Sequence, residues 1–289
     1  MLPSSFDYHR AGSLEEALSL LGQHGDDGKV LAGGQSLIPM MKLRFANPGH
    51  LIDVNHVDGL DAIEEVDGEL RIGALVRHNN LAANPLIKER YPTIAAAAPQ
   101  IADPLVRNLG TIGGSLAHAD PAGDLGSVML SLGASVVLTG ASGERVVPIG
   151  EFMVATFTTS IEPTELLTQV RVPAAQPRSG GTYLKLERKI GDFATVGVAV
   201  ALTLSNGSIG RAGLALTGVG FTNIHATDAE AALNGQPPGD ELFAEAGRLA
   251  AAAADPVSDV RGPAEYKRHM VEVYVQRGLA SALEMANAG

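Results

Sequence analysis

Two glycine-bearing stretches carry the residue types that could hold a ligand. The longer, Thr111-Ile112-Gly113-Gly114-Ser115-Leu116-Ala117-His118-Ala119-Asp120-Pro121-Ala122-Gly123-Asp124-Leu125, sets paired glycines between two hydroxyls and ends in turn residues before an apolar segment. Adjacent glycines let a backbone come close to a ligand, because no Cβ blocks the approach and positive φ costs little. Thr111 and Ser115 add hydroxyl donors and acceptors, and Asp120, Pro121 and Gly123 supply turn chemistry. The stretch reads as a loop that forms a polar cradle rather than core. The shorter stretch, Val30-Leu31-Ala32-Gly33-Gly34-Gln35-Ser36-Leu37, repeats the design upstream, again directly after a short apolar run. Two such loops, each between a strand-like run and a helix-like one, suit the two phosphates of one diphosphate.

Other chemistries are excluded by what the residues do not form. Neither stretch fits G-x-G-x-x-G or G-x-x-x-x-G-K-[ST], so Rossmann and P-loop readings fail. The chain has no cysteine, which rules out thiolate-bound zinc, thiol nucleophiles and cysteine-ligated iron–sulfur clusters within it. The eight histidines include no H-E-x-x-H or other ligand spacing, so no metal site is expected. His118, inside the second glycine stretch, reads as a loop hydrogen-bonder. No G-x-S-x-G elbow supports a serine nucleophile. Lys185, Arg188 and Lys189 cluster before Gly191-Asp192-Phe193, either as a solvated strand end or as cations against an anionic or electron-rich ligand.

The elements that would position these residues follow from periodicity. Ser13-Leu14-Glu15-Glu16 is a capping box that opens a helix through Ala17, Leu18 and Leu21. Residues 30–32, a helix over 37–43 and a strand over 50–54 then make a βαβ-type unit with a glycine loop at a strand's end. Residues 69–74 alternate as a half-buried strand. Residues 80–84 and 86–98 look helical, with Pro85, Pro92 and Pro99 as breaks. A helix through Leu125, Val128 and Met129 precedes strands over 135–138, 145–149 and 166–172. Residues 173–181 are the best linker. Beyond it, 182–188, 195–204 and 209–219 read as strands, with Asn206-Gly207 as a hairpin turn. Thr227 to Glu230 forms a second capping box, 241–253 is an Ala-rich helix, and Pro263 opens a last one. Strands followed by helices indicate an α+β second domain.

Composition sets the outer bounds. At 289 residues the chain is long enough for about two domains, and its net charge of -11 argues against a nucleic-acid footprint. The N-terminus has neither a basic region nor an apolar run, and no apolar segment reaches the ~18 residues of a membrane span. The cytoplasm is the expected compartment.

The two glycine stretches and Lys185-Leu186-Glu187-Arg188-Lys189-Ile190-Gly191-Asp192-Phe193-Ala194-Thr195 occur together and in this order. With Phe6-Asp7-Tyr8 near the start and Arg261-Gly262-Pro263-Ala264-Glu265-Tyr266 near the end, the chain resembles the FAD-binding medium subunits of the molybdenum hydroxylases, the xanthine dehydrogenase and aerobic carbon monoxide dehydrogenase group. The resemblance implies an α+β fold: a vanillyl-alcohol-oxidase-type FAD domain over 1–176, with lobes of about 1–55 and 56–176. A C-terminal three-stranded sheet with helices would follow over 177–289. It implies that Val30, Leu31, Ala32, Gly33, Gly34, Gln35, Ser36 and Leu37 hold FAD with Thr111, Ile112, Gly113, Gly114 and Ser115, and that Ile101, Asp124, Leu167 and Lys185 lie against the cofactor. Family members often carry Asn where Ser115 stands. Many carbon monoxide dehydrogenases have His at Gln35 and Tyr at Phe193, so both positions weaken a specific assignment to carbon monoxide.

The function so implied is electron transfer. Substrate is oxidised at molybdopterin in a large partner, electrons cross [2Fe-2S] clusters in a small partner, and the FAD here passes them to quinone, NAD or oxygen. The resemblance implies a dimer of heterotrimers, cytoplasmic or membrane-associated through the complex. Lys185 would favour reduced flavin by its charge, and with no cysteine as an attachment point the FAD would be non-covalent. Two rivals remain: a stand-alone flavin reductase like the cell-wall enolpyruvyl reductases, which would need a general acid such as Ser115 or His118, and a non-redox nucleotide-binding module.

Overall fold

The computed structural model describes residues 2–288. Its first unit comprises β1 (Asp7–Arg10), α1 (Leu14–His24), β2 (Gly28–Leu31), α2 (Leu37–Lys42) and β3 (His50–Asp53). The strands form a parallel sheet in the order β1-β3-β2. Ser13 Oγ accepts from Glu16 N, while the Glu16 carboxylate turns back to Gly12 N, one residue earlier than the expected capping box. Ala17 and Leu21 face Ile52 and Val54 in a small core. The βαβ unit expected from the sequence is present, and its carboxyl edge, where open parallel sheets bind ligands, carries the first glycine stretch.

The second unit contains β4 (Ile63–Val66), β5 (Glu69–Gly73) and six helices, α3 (His78–Ala83), α4 (Pro85–Arg90), α5 (Pro92–Ala97), α6 (Pro104–Leu109), α7 (Ile112–His118) and α8 (Asp124–Leu132). It closes with β6 (Ser135–Gly140), β7 (Gly143–Pro148), α9 (Ile149–Phe152), β8 (Met153–Ala155), β9 (Thr158–Thr159) and β10 (Leu166–Val172). Its main sheet is antiparallel, in the order β4-β5-β10-β6-β7. Leu70, Ile72, Val136, Leu138 and Val170 share one core with Ile87, Ile94, Leu125 and Met129. Pro85 and Pro92 open helices at the first position instead of breaking one, since that position needs no N–H.

The first strand of the third unit starts earlier than expected, because β11 (Ser179–Leu186) already includes Gly180 and Gly181, leaving 173–178 as the connection. β12 (Val196–Ser205), β13 (Ser208–Thr217) and the two-residue β14 (Ile224–His225) complete an antiparallel sheet, a short strand more than the three expected. Asn206 and Gly207 both have positive φ, 51° and 82°, as a primed hairpin turn requires. The helices α10 (Thr227–Leu233), α11 (Asp240–Ala253) and α12 (Ala264–Ala288) follow. The second capping box does not form: Ala226 is the cap, and Glu230 instead accepts from Leu214 N at 2.6 Å, tying the helix to β13.

Val196 through Leu202 are buried without alternation because the sheet is covered on both faces. Val198, Val200, Leu214 and Leu216 pack with Val271, Val275 and Leu279 of α12, whereas Tyr183, Ala199 and Ala215 join the core of the second unit. Glycine permits this sandwich: a Cβ on Gly180 would lie 2.0 Å from Ala282 O of α12, and one on Gly213 would lie 1.7 Å from Ser131 O of α8. Among the described residues, no helix is long and apolar enough to cross a membrane.

A contrasting pair of substitutions tests this packing. Gly213→Ala should cost about 1–3 kcal/mol or more by overpacking. Gly22→Ala, in the exposed part of α1 with nothing within 4 Å of a new Cβ, should stabilise by about 0.5–1 kcal/mol. Denaturant titration of both variants checks this, and equal midpoints would mean that α8 does not rest on β13 as described.

Candidate functional site

The first glycine stretch leaves β2 at Leu31 and turns through Gly34, whose φ of 70° suits glycine. Residues 31–37 are all half-exposed. The backbone N–H groups of Gly33, Gly34, Gln35 and Ser36 donate to no protein group among the described residues, and Ser36 makes no side-chain cap at α2. Gln35 Nε2 donates to Gly33 O at 3.1 Å, bracing the turn from behind. Successive free amides around a left-handed residue form a concave donor set that binds anions.

The second stretch is a helix start, not a loop. Thr111 caps α7, its Oγ1 accepting from Gly114 N at 3.1 Å, while Ile112 N donates to Val76 O and Gly113 N to Ala74 O. These three amides are therefore committed within the protein, whereas four successive ones in the first stretch are free. Ile112 and Gly113 are buried, so this part of the cradle is core after all. The two glycines do different work. A Cβ on Gly113 would lie 2.5 Å from Ala74 Cβ, so Gly113 seats the helix on the sheet; Gly114 is exposed, and a Cβ there would meet only Thr111 Oγ1, at 2.8 Å. Gly114 and half-exposed Ser115 thus present an open face. His118 ends α7 rather than sitting in a loop, with its ring 5.0 Å from that of Phe157.

The first stretch touches the chain directly ahead of the second. A Cβ on Gly33 would fall 2.3 Å from Leu109 O and 2.7 Å from Gly110 Cα, so the backbones touch just before Thr111. Arg77 fastens the junction by donating from Nη1 to Leu109 O and from Nη2 to Asn55 Oδ1 at 2.6 Å, and Asn55 Nδ2 donates to Ala32 O at 2.8 Å. Asn55 is held in turn by Asp53. Burial alone would raise the Asp53 carboxyl, but donors from Tyr8 and Asn55 outweigh it and keep the group below its ordinary range. Sequence reasoning missed Asn55 and Arg77. Their signals were weak: an Asn just past a strand's carboxyl edge, and a single cation after the apolar run 72–76.

The remaining expected residues form a second polar group. Lys185, its side chain 1% exposed, donates from Nζ to Asp124 Oδ2 and Gln100 O, both at 3.0 Å, with Glu187 at 3.6 Å. Asp124 Oδ1 accepts from Tyr183 OH at 2.7 Å. Burial pushes the Asp124 carboxyl above its ordinary range, against the opposing pull of Lys185 and Tyr183. The basic cluster around Lys185 does not form, since Arg188 lies exposed beside Asp192. Ile101, half-buried, gives its carbonyl to Arg107 Nη1 at 2.8 Å, and α6 leads from there to Leu109 and Gly110. Leu167 is buried in β10 opposite Leu138. The free amides, the Ser36 hydroxyl and the open Gly114–Ser115 face together fit a dinucleotide's diphosphate.

Comparison with known proteins points the same way. The family described as "FAD binding domain in molybdopterin dehydrogenase" matches residues 4–175, and "CO dehydrogenase flavoprotein C-terminal domain" matches 181–282. The carbon monoxide dehydrogenase medium chain of Hydrogenophaga pseudoflava is 42% identical over 98% of each chain. The 6-hydroxypseudooxynicotine dehydrogenase complex subunit alpha of Paenarthrobacter nicotinovorans is 42% identical over 99% of this chain and 97% of that one. A solved structure of the Hydrogenophaga pseudoflava carbon monoxide dehydrogenase, lacking the Mo-pyranopterin moiety of its cofactor, superposes with a TM-score of 0.96 at 44% identity over 99% of both chains.

The junction should be acid-sensitive. His78 packs against Gly110, and burial, then the Arg107 and Arg77 charges, lower its imidazole from 6.5 to about 4. Between those values the unfolded chain binds the extra proton, so stability is full above pH 6.5 and falls toward pH 4, by at most roughly 3 kcal/mol. His78→Gln should remove that part of the slope in urea titrations across this range; an unchanged slope would place His78 in a solvated setting.

Proposed function

We propose that this chain, which belongs to the family of FAD-binding medium subunits of molybdenum hydroxylases, carries its flavin between a metal-containing partner and an external acceptor. It is an oxidoreductase subunit whose cofactor is FAD. The observation that carries the reading is the junction of the two glycine stretches, where free amides meet an open glycine face. Bound FAD supplies reversible electron uptake at its isoalloxazine ring.

The chain's own residues bind, orient and exclude. Amides of residues 33–36 and the Ser36 hydroxyl hold the diphosphate, and Gly114 and Ser115 let it lie close to α7. Val30, Leu31, Ala32, Gln35, Leu37, Thr111, Ile112 and Gly113 shape this cradle. Ile101, Asp124, Leu167 and Lys185 border the rest of the cofactor. Because the Lys185 ammonium already shares its charge with Asp124 and the Gln100 carbonyl, it acts as a neutralised brace more than as a bare cation. The cofactor domain is taken as 1–176 and the C-terminal domain as 177–289, in keeping with family matches that end at 175 and resume at 181.

The partners are a small [2Fe-2S] subunit that delivers electrons and a large molybdopterin subunit that oxidises substrate, in a dimer of heterotrimers. Carbon monoxide is one candidate substrate of that complex, and quinone, NAD or oxygen would accept the electrons. The compartment is the cytoplasm, with any membrane association made through the complex.

Native purification should therefore give this chain with two further kinds of polypeptide carrying iron and molybdenum. An isolated chain that reduced a small substrate with NADPH at an ordinary enzymatic rate would instead make it a stand-alone reductase. Within the chain, Gly114→Val should abolish flavin retention while circular dichroism stays close to native, since Gly114 is exposed and Thr111 Oγ1, at 2.8 Å from the new Cβ, is the one group that must give way. Unchanged flavin content would remove α7 from the cradle.

A further inference from the structure

The fold brings together three histidines that the linear sequence keeps apart. His9 lies on β1, His24 ends α1 and His50 opens β3, and one ring nitrogen from each lies within 4.8 Å of the others. His9 Nε2 and His50 Nδ1 are 3.0 Å apart, and the His24 and His50 rings stack with centroids 3.7 Å apart. His24 Nε2 is buried with no hydrogen-bond partner. Two carboxylates flank the group: Asp7 Oδ2 lies 3.8 Å from His50 Nδ1, and Asp27 Oδ2 lies 4.0 Å from His50 Nε2.

We propose that His9, His24 and His50 form a binding site for a borderline divalent transition cation of the zinc class, with Asp7 as the nearest carboxylate to complete it. Three imidazoles and a carboxylate are the donor set that suits such ions. The spacing is close to what is needed: two nitrogens on a tetrahedral zinc stand about 3.3 Å apart, given bonds of about 2.0–2.1 Å. The proton shared between His9 and His50 is the only one in that contact. A cation entering there takes both lone pairs, and the proton leaves to solvent. The unpartnered His24 nitrogen then gains a partner once its half-exposed ring turns out of its stack on His50.

A helix end and two carboxylates would attract a cation here, although burial and the other two imidazoles disfavour a protonated His24. The eleven-residue α1 points its carboxyl end at the cluster, as His24 is its last helical residue, and the negative end of a helix attracts cations. Asp7 and Asp27 add two anionic groups. Asp27 is itself fixed, because its Oδ1 accepts from Gly49 N at 2.8 Å. The cluster sits at the amino end of the parallel sheet, whereas the first glycine stretch leaves β2 at its carboxyl end. It is therefore separate from the flavin cradle, and the two sites can be tested independently.

The test uses the tag-free full chain, stripped with a chelator and titrated with Zn²⁺ by calorimetry. The expected result is one saturable Zn²⁺ per chain, with His24→Leu and His9→Gln each weakening binding about tenfold or more while flavin content is kept. Absence of saturable binding in the unaltered chain would overturn the site, as would unchanged affinity in both variants. X-ray absorption at the zinc edge of the unaltered chain gives an answer that needs no variant. A shell with at least three imidazole nitrogens at about 2.0–2.1 Å supports the site, and a shell with fewer overturns it.

Discussion

The candidate site depends on one backbone contact, in which Gly33 lies against the Leu109–Gly110 corner at a distance that leaves no room for a Cβ. That contact joins a parallel βαβ unit to a helix of another unit and converts two separate glycine stretches into one surface. Neither stretch is sufficient alone. The first has free amides but no facing wall; the second has an open glycine face, yet the amides of Ile112, Gly113 and Gly114 are spent on Val76, Ala74 and Thr111. Arg77 and Asn55 close the joint by hydrogen bonds to carbonyls on both sides, so backbone groups that loops would leave bare are satisfied there.

A second joint carries the third unit. Tyr183 and Lys185 come from β11, Asp124 opens α8, and Gln100 ends the turn after α5, so their hydrogen bonds cross from the C-terminal sheet into the cofactor unit. A buried ion pair contributes little net stability once desolvation is counted, but removing one partner strands the other. Its consequence here is geometric: β11 is held in register against α8, and the sheet is sandwiched between helices on both faces. The run Val196 to Leu202 has no polar face because neither face meets water.

Much of this was legible in the sequence where local chemistry decides. The βαβ unit, the Asn206-Gly207 hairpin and the first glycine turn follow from periodicity and positive φ, and the structure has each of them. The second stretch misled because two glycines argue against a helix; Thr111 as cap and the seating of Gly113 on Ala74 outweigh that propensity. Thr227 and Glu230 had the spacing of a capping box, but Glu230 is recruited by Leu214 N instead. Arg77, Asn55 and the three clustered histidines are tertiary facts. Their partners lie tens of positions away, and no spacing rule reaches that far.

The central claim is that the junction recognises a diphosphate, and nucleotide selectivity tests it most directly. The full chain, freed of flavin by mild acid and refolded, would be titrated with FAD and with riboflavin while flavin fluorescence is followed. The account predicts that FAD binds and that riboflavin, which has the same ring but no phosphate, binds at least about tenfold more weakly, a difference of about 1.4 kcal/mol. Equal affinity for the two would contradict it, because the free amides at Gly33, Gly34, Gln35 and Ser36 would then have no part in holding the cofactor.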